Sequence, residues 1–428
     1  MVILMETNKS FLDAIEITKK IIDDVIFMCE TRMKPTYFTR SVNCKMDFKN
    51  LIMFELNFVR KSIQIELDSF FKSIKGVENV ISKQAYSEAR QKISHMAFIK
   101  LADAITTWFY EDDSFKTFNG YRLSAIDASI LEINNSERLR NEFGYFETKT
   151  MSSARAMASG IYDIENDMMI TSIITRYDSS ERDVAIKLIE KLKVLGLKND
   201  LILFDRGYPS AKFFSYLKDN GINFVIRVRN NFFSKIDKTQ ESDQIVEVTA
   251  DGKTIKVRVL RFMLDSGIEE VLATSLFDES LGIQDFKKLY FKRWGIEVKY
   301  DELKNRLQIQ NFTGDTVISV KQDFYASIYL SNMVALAKRD ANQVIEQKNE
   351  DKNLKYEYMV NTNILIGKLK DSMVLMLLED NPEKRSKMYN LIIQEISRYT
   401  VPIRPGRSNI RKKGLKANKY PMNQKRCL

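Results

Sequence analysis

The strongest constraint on the fold is a change of hydrophobic period near Tyr121. Before it, apolar residues recur at helical spacing in LDAIEITKKIIDDVIFM, in NLIMFELNFVRKSIQIELDSFF and, after Ser82, in KQAYSEARQKI. Gly76 is the only glycine in that stretch, so residues 1–115 read as an α-helical N-terminal domain. Its charged positions Arg60, Lys61, Arg90 and Lys92 suit a DNA-facing surface and an ordinary solvated face equally well. After the change, RLSAIDASILEIN alternates like a strand, and AMASGIYDI and MMITSIITRY flank Glu165-Asn166-Asp167 as a hairpin. An amphipathic helix from Asp178 to Leu195, the strand LILFD, a helix from Tyr208 to Asn220 and the strand INFVIRVR follow. Three strands, helix, strand, helix, strand predicts an α/β fold with a mixed sheet and an antiparallel start. That order fits an RNase-H-like core beginning at residues 116–230.

Strands return in DQIVEVT and KTIKVRVLRF, joined by the hairpin signal Asp251-Gly252, and in VLATSLF. Residues 231–283 therefore read as a β-insertion. Helix resumes near Gln284. The end of the core is expected at 284–340, further helices at 341–400 and a basic tail at 401–428. That tail carries nine basic residues (Arg404, Arg407, Arg411, Lys412, Lys413, Lys416, Lys419, Lys425, Arg426) and no acidic one. A cationic end of this kind favours a polyanion such as nucleic acid, with a solubilising tail as the alternative.

Composition removes whole classes of chemistry. The 428 residues allow two or three domains, and 67 basic against 57 acidic residues leave a net charge of +10. No run approaches the ~18 apolar residues of a spanning helix. The N-terminus is apolar for five residues only, which is no signal peptide. Cys29, Cys44 and Cys427 form neither a disulfide framework nor a C-x-x-C site. With His95 the single histidine, Ser-His-Asp and Cys-His catalysis and most zinc sites drop out. Catalysis must use carboxylates, hydroxyls or amines.

Two aspartates stand out. Asp127 lies inside the apolar strand AIDASIL, where an unpaired carboxylate is costly to bury. Asp205 ends LILFD and opens the turn DRGY, at the carboxyl end of a strand where α/β sheets place their sites. The bland alternatives are that Asp205 caps the next helix and that Asp127 pairs with an arginine. A third element, YFKRWGIEVKYDELKNRL, carries Tyr290, Arg293, Glu297 and Lys304. On one helix their spacing confines them to an arc of roughly 60°. An exposed face with an Arg293–Glu297 pair is the simpler reading of that arc, but a carboxylate flanked by phosphate-binding cations suits a nuclease-like centre. Three carboxylates without histidine suit two divalent ions about 4 Å apart, and hard oxygen ligands favour Mg²⁺, with Mn²⁺ able to substitute.

The pattern Y-x2-R-x3-E-x6-K, filled by Tyr290, Arg293, Glu297 and Lys304, resembles the signature of DDE transposases of the insertion sequence four family. DRGY resembles that family's second-aspartate motif. AIDAS resembles its first, with Ala128 where the family often has glycine. The helical stretch from Asn50, the AYSEARQK segment and the RPGRSNIRKK tail also look family-like. The resemblance implies Asp127, Asp205 and Glu297 as the catalytic, metal-holding triad. It implies Tyr290, Arg293 and Lys304 as holders of DNA phosphates, aided by Arg206 and by Arg411, Lys412 and Lys413 of the tail. The implied substrate is double-stranded DNA, both terminal inverted repeats and target, cut and joined by a homodimer in the bacterial cytoplasm on the nucleoid, with no membrane partner. Relatives that form a DNA hairpin use a tryptophan in the insertion. Here Trp108 and Trp294 both lie outside it, and Phe262 and Phe277 are aromatic residues within it. A structure-specific nuclease and an inactive DNA-binding derivative are the competing readings.

Overall fold

The computed structural model describes residues 10–404, apart from 40–43, 58–60, 76–79, 113, 150, 197–198, 230–240 and 265–266. The expected tail contacts at Arg411, Lys412 and Lys413, and Arg60 of the N-terminal segment, lie outside the described residues. Two compact units share the chain. One is made of Tyr110–Ile130 and Met157–Asp301, the other of Met1–Phe109, Leu131–Ala156 and Glu302–Leu428.

The first unit is built on a sheet. Strand β1 (Arg122–Glu132) is followed by β2 (Tyr145–Thr148), which falls in the other unit as do the first residues of β3 (Met151–Asp163), and then by β4 (Met168–Arg176). Helix α8 (Glu181–Val194) leads to β5 (Asp200–Phe204), and α9 (Ala211–Asp219) leads to β6 (Asn223–Val228). Next come β7 (Asp243–Ala250), β8 (Lys253–Met263) and β9 (Glu269–Thr274). In space the strands run β4-β3-β1-β5-β6-β9-β8-β7, with β2 on the first residues of β3. β1, β5 and β6 are parallel, and β9, β8 and β7 then pair antiparallel.

Local sequence explains much of this. β5 is buried at every residue, as a central parallel strand must be. β7 alternates buried and exposed residues over its second half, as an edge strand with one wet face does. Asp251 (φ 49°) and Gly252 (φ 79°) both take positive φ, the geometry of a two-residue hairpin turn. The strands read as an insertion do not form a sheet of their own. They extend the same sheet from the free edge of β6.

The second unit is mostly helical. Helices α1 (Phe11–Asp23), α3 (Phe48–Glu55), α5 (Lys83–Arg90) and α6 (Met96–Phe109) share it with the 33-residue helix α12 (Val317–Asn349). The Thr18 hydroxyl meets that of Tyr329 at 2.7 Å, and the main-chain N–H of Phe11 donates to Asp340 at 3.0 Å. The continuous helix expected from Leu12 breaks at Asp24, whose carboxylate caps a second helix by accepting from the Ile26 N–H. The helices expected at 341–400 are joined there by a short strand, β10 (Tyr358–Val360), which pairs antiparallel with β11 (Thr400–Pro402). Arg90 is only 2% exposed, so it presents no charge to DNA or solvent. Among the described residues no helix is long and apolar enough to cross a membrane.

Candidate active site

The parallel register of β1 and β5 pairs Ala125 with Leu203. Two residues further on stand Asp127, in β1, and Asp205, one residue past the end of β5, so the register brings the two aspartates to the same end of neighbouring strands. The Asp127 main-chain carbonyl accepts from the Ser159 hydroxyl and the Tyr300 hydroxyl, both at 3.1 Å, and its carboxylate accepts from the Ala128 N–H at 2.8 Å. Burial pushes that carboxyl up to about 6, against the pull of the Ala128 N–H and Arg293, and the negative charges of Asp205 and Glu297 push the same way as burial.

Asp205 does not cap the following helix. Ser210 does, accepting from the Phe213 N–H at 3.0 Å. Asp205 instead shapes its own turn by accepting from the Gly207 N–H at 2.7 Å. The backbone of Gly207 passes close to two carboxylates. A Cβ at that position would lie 3.0 Å from Asp205 Oδ1 and 3.2 Å from Glu181 Oε2.

The third element differs from the single helix expected. Helix α10 (Ile283–Phe291) ends before Arg293, and helix α11 (Trp294–Asn305) begins after it. The joint is wound tightly: Arg293 N–H donates to Tyr290 O, Gly295 N–H to Lys292 O and Ile296 N–H to Arg293 O, at 2.9–3.2 Å. Arg293 therefore sits on the joint. Its Nη2 donates to Glu297 Oε1 at 2.7 Å, and its Nη1 is 3.7 Å from Asp127 Oδ2. One guanidinium thus stands between two carboxylates of the expected triad. It is 8% exposed, and its Nε has no partner. Tyr290 is buried and donates to the Phe204 carbonyl at 3.2 Å, which fastens α10 to the residue before Asp205. Lys304 is half-buried near the end of α11, and Arg206 is exposed beside Asp205.

Two groups at this site were not singled out from sequence. Glu181 is the first residue of α8, and burial together with the charge of Asp205 raises its pKa. Tyr208 is fully buried, and its hydroxyl has no partner. Burial first, then the charges of Asp127, Glu181 and Asp205, hold that phenol well above its ordinary pKa. The tyrosine of DRGY was in plain view as a motif member. Glu181 carried only the weak signal of an acid in the first turn of a helix.

The donors are carboxylate oxygens of the kind that Mg²⁺ and Mn²⁺ take, and Arg293 stands among them as the cation that offsets their charge. In kind, these residues fit a divalent ion. Among the described residues no group of three or more acidic, histidine or cysteine side chains is gathered tightly enough to hold one directly.

A family model described as transposase DDE domain matches residues 119–333, half of the chain, and that span contains Asp127, Asp205 and Glu297. Among solved structures, a cryo-EM structure of the piggyBac transposase synaptic complex with hairpin DNA is similar at 12% identity and a TM-score of 0.49. The match covers 92% of this chain and 87% of that one. No curated protein matches the sequence.

Proposed function

This chain belongs to the transposase DDE domain family, and from that premise we propose that it is a DNA transposase of the insertion sequence four type. It binds the terminal inverted repeats of its element, cleaves at their ends and joins the 3′-ends to target DNA. The observation that carries this reading is the placement of Asp127 in β1 and of Asp205 just past the end of the neighbouring parallel strand β5, with Glu297 tied to Asp127 through Arg293. The strand order β4-β3-β1-β5-β6, with helices after β4 and β5, supports an RNase-H-like core.

Asp127, Asp205 and Glu297 would hold divalent cations, Mg²⁺ by preference. Such ions activate a water or 3′-hydroxyl for in-line attack at phosphorus and stabilise the leaving oxygen. The chain's own part is to aim and neutralise. Arg293 offers a planar fork to the phosphate beside the scissile bond. Lys304, further along α11, and Arg206, beside Asp205, add point charges on the backbone. Tyr290 keeps α10 against the end of β5. The N-terminal helical segment contributes DNA contacts, the tail adds sequence-independent ones, and two copies pair the two ends.

The test is incubation of the purified chain with DNA carrying its element ends, a target plasmid and Mg²⁺. Cleavage with 3′-end joining is the expected result. Cleavage without joining would make it a structure-specific nuclease, and binding with neither would make it an inactive derivative.

A further inference from the structure

The turn that carries Asp205 is held from the side by the first residues of α8. Arg182 Nε donates to Tyr208 O at 3.0 Å, and Arg182 Nη2 donates to Pro209 O at 3.3 Å. This clamp keeps the preceding residue, Glu181, beside the turn. Gly207 shows how close the approach is. One missing Cβ would touch both Asp205 Oδ1, at 3.0 Å, and Glu181 Oε2, at 3.2 Å. The two carboxylate oxygens are therefore no further apart than those distances combined.

Among the described residues no cation of the chain pairs with Glu181; the one charge acting on it is that of Asp205. Helix α8 does not need Glu181 for its start, since Ser180 caps it by accepting from the Asp183 N–H and Asp183 supplies an acid in the first turn. A second observation points to a ligand here. Tyr208 is 0% exposed, and its hydroxyl lacks a partner while the charges of Asp127, Glu181 and Asp205 act on it. A buried O–H left unpaired is costly, and a water carried by a cation supplies what it lacks.

We propose that Glu181 is a fourth acidic residue of the catalytic centre and that, with the Tyr208 hydroxyl, it holds the hydrated divalent cation on the Asp205 side. This rests on the transposase reading above. Glu181 acts on the ion's water shell while Asp205 binds the ion itself.

The experiment is a Mn²⁺ titration of the full chain without DNA, read by electron paramagnetic resonance, with metal-free melting curves alongside. Glu181→Gln is expected to weaken Mn²⁺ binding about tenfold, the usual effect of losing an outer partner of a metal site. Its metal-free melting temperature should stay level or rise, because a like charge beside Asp205 is gone. Tyr208→Phe should weaken binding by a smaller factor in the same direction. Asp205→Asn, run in parallel, tests the underlying reading and should weaken binding most. If Asp205→Asn weakens binding and Glu181→Gln binds Mn²⁺ like the wild type, Glu181 is a helix-end charge only and this proposal is overturned. If Asp205→Asn also binds like the wild type, the metal centre itself is wrong and the fourth residue falls with it.

Discussion

Arg90 in the helical unit and Arg293 in the sheet unit are each set between two carboxylates, yet their surroundings are opposite in kind. Arg90 donates to Glu55 at 3.2 Å, Asp323 at 2.8 Å, Gln322 at 3.0 Å, Thr313 at 2.5 Å and the Ser319 carbonyl at 3.2 Å. Tyr86 completes the cluster by donating to Glu55 at 2.6 Å. Arg293 makes one short bond to Glu297 and one long approach to Asp127, and its Nε is left over. The first network is closed: its groups satisfy one another, and nothing is left to bind. The second is open at Arg293 Nε and at the Tyr208 hydroxyl. Closed polar networks hold a fold together, and an open one is what a substrate or ion completes.

The largest effect should fall on the open network. Asp127→Ala, Asp205→Ala and Glu297→Ala should each lower Mg²⁺-dependent cleavage of element ends by roughly a thousandfold or more while circular dichroism stays native. Any one of them cleaving near the wild-type rate removes that residue from the triad. The closed network should answer in stability instead. Arg90→Ala strands Glu55 and Asp323 as buried acids and should cost about 3–5 kcal/mol in urea unfolding, whereas Arg293→Ala should cost less, because its partners Asp127 and Glu297 are partly open to solvent. Equal costs would break the contrast between the two arginines.

A smaller effect reads the strain at Asp127. Burial raises its folded-state pKa to about 6, above the ordinary 3.8. The folded form thus holds its proton more tightly than the unfolded chain. The associated stability is fully present below the ordinary value and is lost as pH rises through about 6. Asp127→Asn should therefore raise stability at pH 8 by on the order of 2 kcal/mol and leave it unchanged at pH 3, as thermal melts at the two values would reveal. A gain of the same size at both would rule out titration of Asp127 as the cause. The smallest effect belongs to geometry. Arg293→Lys keeps the charge but loses the fork, so cleavage of bound ends should fall about tenfold with little change in end binding. Full activity in the lysine variant would mean that Arg293 acts as a charge alone.

Much of the sheet unit was legible because its signals are local. Alternation marked β1, a continuous apolar run marked β5, and Asp251-Gly252 fixed one hairpin. Asp127 and Asp205 could be singled out because each interrupts or ends an apolar strand. What stayed hidden depends on distant partners. Arg90 looked like a surface cation because its acceptor Asp323 lies 233 residues away. Glu181 meets the Asp205 turn only once Arg182 at the start of α8 bonds to the Tyr208 and Pro209 carbonyls. The joint at Arg293 has no proline to announce it, and Gly295, which takes part in the bonds that tighten it, is a weak signal by itself. The strands after β6 read correctly as strands, but no local pattern says which sheet edge they will join.

The helical unit also fixes the order in which a newly made chain can mature. Helix α1 leaves the ribosome early, yet Phe11 and Thr18 bond to residues 329 and 311 positions later. At roughly 5–20 residues per second, α1 waits roughly 15–65 s for its partners to be synthesised. The sheet unit ends at Asp301 and can close within that interval. Phe11, Ala14 and Ile15, which end fully buried, lack part of their cover until the later helices emerge, since Phe11 stacks on Tyr389. A translation product that stops short of α12 therefore carries a finished sheet unit and an apolar helix with only part of its cover, which makes it a target for chaperones and proteases.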